Sequence, residues 1–162
     1  MKKFLPVLFL FVLLGAGCTK TPADNTVTYD TYNAGDTGIT FDISTGTEVH
    51  ENVNGFDNFW KFECDDNSYF VSYYEYSGQA IYAYWETLTD DELTITDKEN
   101  NNVYSNNNSA IAEAFFAKHN PAMSIRVYGQ EGKDLIGELL PNNDAQYMHL
   151  MQSIKLNGEQ VF

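Results

Sequence analysis

The chain has 162 residues, 23 acidic against nine basic, and a formal net charge of −14 at pH 7. That balance excludes a nucleic-acid binder, which needs clustered Lys and Arg to displace counterions, and it excludes an electrostatic grip on anionic lipid headgroups. It admits a basic partner or divalent cations, and the length suits a single domain with a real core.

The N-terminus opens with Lys2 and Lys3, then an apolar run from Phe4 to Leu14. Gly15, Ala16 and Gly17 are small, and Cys18 follows. A positive start, a short apolar run and a small-residue exit are the pattern of a secretory signal peptide. The run is too short for the hydrocarbon core, which needs about 20 residues of helix. Gly15-Ala16-Gly17-Cys18 resembles the lipobox of bacterial lipoproteins, departing from it at Gly15, where Leu, Val or Ile is usual. The resemblance covers residues 1–18 only. It implies removal of residues 1–17 and a diacylglycerol on the Cys18 thiol. Two or three acyl chains on that cysteine hold a protein at a bilayer where one chain does not. Thr19, in the place where an Asp would resemble an inner-membrane retention signal, favours the outer membrane of the envelope. With Cys18 acylated, Cys64 has no partner in the chain, and no disulfide framework is expected.

Residues 18–35 are polar and small and read as a tether, with a short strand allowed around Val27–Tyr32; residues 36–162 read as one domain. Thr37–Ser44 alternates Ile39, Phe41 and Ile43 with polar residues, as a half-buried strand does. Thr47–Asn52 reads as a short strand. Phe59–Cys64 carries Trp60, Phe62 and Cys64 on one face. Asp65–Ser68 is a turn. Tyr69–Tyr76 and Ala80–Glu86 flank Ser77-Gly78-Gln79 and read as a hairpin. Leu93–Thr96 reads as a strand, with Tyr104 in its partner beyond an Asn-rich loop. Ile111, Ala114, Phe115 and Lys118 follow helical spacing, which predicts a helix over about 109–119, ended by Pro121. Met123–Tyr128 alternates as a strand. Gly129–Gly132 reads as a turn, and Leu135–Leu140 as the returning partner. Tyr147, Leu150, Met151 and Ile154 sit at i, i+3, i+4 and i+7, which predicts a helix over about 143–156, capped by Asn143 and ended by Gly158. The sum is an α+β domain: an antiparallel sheet of about six to eight strands with both helices packed on one face. The element order, the Ile-Thr-Phe-Asp-Ile strand and the terminal helix near Ser153-Ile154-Lys155 are similar to the PsbP/DcrB group.

Catalytic and metal motifs are absent from the sequence. Gly129-Gln130-Glu131-Gly132-Lys133-Asp134 has the wrong spacing for a phosphate loop. His50, His119 and His149 lack close ligand spacing. There is no Gly-x-Ser-x-Gly elbow. Asp65-Asp66, Asp90-Asp91-Glu92 and Asp97/Glu99 are acidic turns that suit weak calcium binding at most. No cofactor is expected. Aromatic residues crowd the segment 69–85, and Tyr74, Tyr76, Tyr82 and Tyr84 are the candidate ligand-binding residues, since Tyr offers contact area with a polar tip. The sequence points to a lipid-anchored, non-enzymatic binding module for a basic protein, as an immunity lipoprotein would be, or for a glycan. An envelope hydrolase with an unrecognised site and a structural envelope subunit are the alternatives.

Overall fold

The computed structural model describes residues 27–76, 85–98 and 101–162. They form two antiparallel sheets and one α-helix. Strands β1 (Tyr29–Asn33), β2 (Ile39–Ser44), β10 (Lys155–Leu156) and β11 (Glu159–Gln160) make a four-stranded sheet in the order β1-β2-β10-β11. The second sheet has seven strands: β3 (Val49–Glu51), β4 (Phe59–Cys64), β5 (Asn67–Tyr76), β6 (Leu93–Asp97), β7 (Asn102–Asn106), β8 (Ile111–Phe116) and β9 (Ala122–Glu131). Their order is β3-β4-β5-β9-β8-β7-β6. The chain enters the fold ahead of residue 36: β1 pairs with Thr40–Ser44 of β2, and Ala34 is buried.

The core fills the space between the small sheet with its helix and one face of the large sheet. Phe41 and Ile39 of β2 meet Trp60 and Phe62 of β4, with Val71, Ile125 and Val127 beneath. The alternation read from the sequence sets this up, because residues i and i+2 of a strand share a face. Helix α1 (Ala145–Ser153) presents Tyr147 and Leu150 inward, and Ile154 follows at its end. Its cap is Asp144, whose carboxylate accepts from the Tyr147 amide at 2.8 Å and from the Tyr69 hydroxyl at 3.0 Å. The helix is thereby fixed to the large sheet and the orphan amides of its first turn gain an acceptor.

The fold is α+β as expected, but with one α-helix among the described residues. The helix expected over 109–119 is strand β8. All six of its residues are buried, Glu113 included. Ile111 and Phe115 face one side, and Ala112, Ala114 and Phe116 the other, so a strand covered on both faces imitates helical spacing. Leu135–Leu140 is not a strand either. It touches the end of β9 through the Glu131 amide to the Glu138 carbonyl at 2.8 Å and the Leu140 amide to the Gly129 carbonyl at 3.0 Å. Gly129 and Gln130 lie inside β9, so the turn begins at Gly132, which has φ +77°. After Ile154 the backbone turns extended, and Asn157-Gly158 joins two short strands. The hairpin partner expected over 80–86 lies outside the described residues up to 84; Trp85–Thr87 is a single 3₁₀ turn.

Candidate functional site

Tyr74 and Tyr76 alternate with the core-facing Tyr73 and so sit on the outer face of the large sheet, half-buried, with ring centroids 6.5 Å apart. One register row crosses this face: Ile95, Tyr104, Glu113, Arg126, Ser72 and Phe59. At its centre the Glu113 side chain is 1% exposed. One of its oxygens accepts from Trp85 Nε1 at 2.9 Å and from Arg126 Nη2 and Nε at 2.8 and 3.2 Å. The other accepts from the Tyr76 hydroxyl at 3.3 Å, which also meets Ser124 Oγ at 2.8 Å. Burial works against the charge on Arg126, yet the Glu113 carboxylate raises its pKa above the ordinary value. Burial also raises the Tyr76 phenol. Phe59 and Phe70 stack, as do Phe70 and Tyr128. This face is a second packed layer in which the Tyr76 hydroxyl is spent on its neighbours. Tyr82, Tyr84 and Cys18 lie outside the described residues.

A different group of residues forms an open cleft where the two sheets part. Register places Glu51 beside Trp60, and alternation puts Tyr73 and Glu75 on the same inward face. The turn after β1 brings Ala34, Gly35, Asp36 and Thr37 across from the small sheet. Together with Asn52 and Asn58 they line a cavity of about 430 Å³. Asn52 and Asn58 hold left-handed backbones that bend the rim, and the Asn52 side chain accepts from the Asn58 amide at 3.3 Å. Tyr32 of β1 donates to Glu51 of β3, tying sheet to sheet at this edge. The Tyr73 hydroxyl donates to Glu75 at 2.7 Å. Both phenols are pushed up to about 12, first by burial and then by the carboxylate each one faces. They therefore stay protonated donors near neutral pH and hold those carboxylates in place.

The described residues lining the cleft include three carboxylates and two aromatic rings, and none is basic. Carboxylates make charge-assisted hydrogen bonds to ammonium and guanidinium groups, and the faces of Trp and Tyr attract cations. Sequence reasoning missed this site because Asp36, Glu51 and Glu75 come from three separate segments. The one local signal was Tyr73-x-Glu75, on the opposite side of β5 from the tyrosines singled out.

A second cavity, of about 340 Å³, brings together Asp42, His149 and Ser153. His149 stacks on Tyr29 at 3.5 Å, and its Nε2 lies 3.6 Å from Asp42 Oδ2. Ser153 Oγ donates to the Leu150 carbonyl and accepts from the Asp42 amide, so its hydroxyl is committed to backbone. The other histidines stand apart, His50 exposed on β3 and His119 with its ring against Phe116. Among the described residues no group of three His, Cys, Asp or Glu side chains is placed to hold a metal ion. Lys133 pairs with Glu63 at 3.6 Å. Cys64 is a free thiol 3.8 Å from Ser44 Oγ. Among the described residues no helix is long and apolar enough to cross a membrane. No protein-family model matches the chain, and neither a curated protein nor a solved structure matches it.

Proposed function

We propose that this chain is a lipid-anchored, non-enzymatic binding module of the bacterial cell envelope, and that the cleft between its sheets takes a Lys or Arg side chain of a protein partner. The observation that carries this reading is the cleft itself, with Asp36, Glu51 and Glu75 at its walls and Trp60 and Tyr73 beside them. The net charge of −14 supports it, since a field of that sign steers a basic partner toward the cleft. The anchor rests on the lipobox resemblance at Cys18.

Nuclear magnetic resonance titration with arginine amide tests the cleft, following the Trp60 indole N–H. A single cationic fragment binds weakly, with a dissociation constant on the order of 1 mM. The Trp60 signal shifts with arginine amide in the native protein. The double variant Glu51→Gln with Glu75→Gln keeps an oxygen facing each tyrosine but loses two charges. One charged hydrogen bond is worth about 1.5–3 kcal/mol, so binding should weaken at least tenfold. An unmoved Trp60 signal, or the same shift in the variant, removes the cleft as a cation site. A shift with a neutral disaccharide in place of arginine amide moves the assignment to a glycan.

A further inference from the structure

The large sheet ends on one side in β3, three residues long, and on the other in β6, five residues long and largely exposed. Ile95, in the middle of β6, is 54% exposed. The β6–β7 hairpin fixes which backbone groups look outward. Lys98 and Asn101 exchange both bonds of a closely spaced pair, and the Asn107 amide donates to the Glu92 carbonyl at 2.8 Å. Hydrogen-bonded pairs alternate along an antiparallel ladder. Glu92, Thr94, Thr96 and Lys98 therefore bond inward to β7. The amides and carbonyls of Leu93, Ile95 and Asp97 face away from the sheet, and none of them bonds to another backbone group among the described residues.

We infer that this edge pairs with the same edge of a second copy of the chain, antiparallel, about a twofold axis at Ile95. In that register Ile95 meets Ile95 of the second copy, and Leu93 meets Asp97, so every outward backbone group finds a partner. On the opposite face Thr94 meets Thr96, and Glu92 meets Lys98, each pair occurring twice. Ile–Ile, Thr–Thr and Glu–Lys are all favourable cross-strand neighbours. The charges also select the register. An axis at Leu93 or at Asp97, the adjacent outward positions, breaks both Glu–Lys pairs, and the second sets Asp97 against Asp97. Glu92 now accepts from Thr89, and Lys98 donates to the Val161 carbonyl at 3.0 Å. A carboxylate has about four acceptor sites and an ammonium three donors, so capacity remains on both. The other exposed edge of similar length, β1, has Asp30 and no basic residue, and offers no such match. An edge left open among the described residues, with this sequence, is the kind of template that a second copy can extend.

Sedimentation equilibrium on the purified protein tests the pairing, with circular dichroism on each variant to confirm folding. The native protein shows a concentration-dependent doubling of mass. Ile95→Pro removes an outward amide that the β6–β7 ladder does not use, and it should leave a folded monomer. Glu92→Lys and Lys98→Glu each set like charges together twice, so dimerisation weakens at least tenfold in either. The double variant Glu92→Lys with Lys98→Glu swaps the pairs and restores it. A native protein that stays monomeric into the millimolar range overturns the inference. So does a dimer that survives Ile95→Pro, or a double variant no tighter than the singles.

Discussion

Replacing Glu113 with Ala removes the acceptor shared by Trp85, Arg126 and Tyr76. Breaking one partner out of a buried ion pair costs about 3–5 kcal/mol. The Arg126 side chain is 29% exposed, so water recovers part of that loss. The Trp85 N–H loses this acceptor in a buried site, and one such hydrogen bond is worth about 0.5–1.5 kcal/mol. Tyr76 keeps its contact with Ser124. Taken together, about 3 kcal/mol is expected, a large share of a total stability of about 5–15 kcal/mol. Urea unfolding measures it. With a slope of about 2 kcal/mol per M, the midpoint falls by about 1.5 M while the slope holds. Glu113→Leu combined with Arg126→Met removes both charges and fills the space, and it should recover at least half of the loss. A cost below about 1 kcal/mol for Glu113→Ala, or a double variant weaker than the single, would refute this account of the outer face.

Two further outcomes follow from features described above. On the proposed reading, Cys18→Ser removes the thiol that would carry the lipid, so the protein should move from the membrane fraction to the soluble fraction; a variant that stays with the membrane would count against lipid attachment at Cys18. Tyr32, Tyr73 and Tyr128 are pushed up to about 12, chiefly by burial. The fold favours the neutral phenol, so their contribution to stability is whole below pH ~10, the unfolded value, and is lost as pH rises through about 12. Phenolate absorbance should therefore rise in two phases, the later one together with loss of structure. A single phase with all 11 tyrosines titrating near pH 10 while the fold persists would contradict that burial.

The strands with one polar face were legible before the structure. Ile39, Phe41 and Ile43 alternate as written, and Phe59–Cys64 begins and ends where β4 does. The terminal helix was legible too, because Tyr147, Leu150 and Ile154 mark one stripe. What failed was periodicity where both faces are covered. In β8 the alanines and phenylalanines carry no in–out contrast, and only the pairing with β7 and β9 decides the outcome. Glu113, within that stretch, is the anion paired with Arg126. β10 and β11, at two residues each, are too short to leave a pattern. The cleft was illegible for a related reason. Its carboxylates lie on segments that meet only through sheet register and through the tie between Tyr32 and Glu51.

One pairing sets the order in which the large sheet can assemble. β3, β4 and β5 form a local meander, and β6, β7, β8 and β9 form another. Among the described residues their strands pair only where β5 lies against β9, from Tyr76 opposite Ala122 to Asn67 opposite Glu131. Each meander can form early from neighbouring residues, but neither closes the core alone. The entropy of bringing distant segments together must be met before that contact rewards it. Completion of the large sheet is therefore gated by one long-range docking step, while the small sheet needs its own in the pairing of β2 with β10. Substitutions within the β5–β9 seam, such as at Val71 or Val127, should slow folding, and those at the outer strands should chiefly speed unfolding.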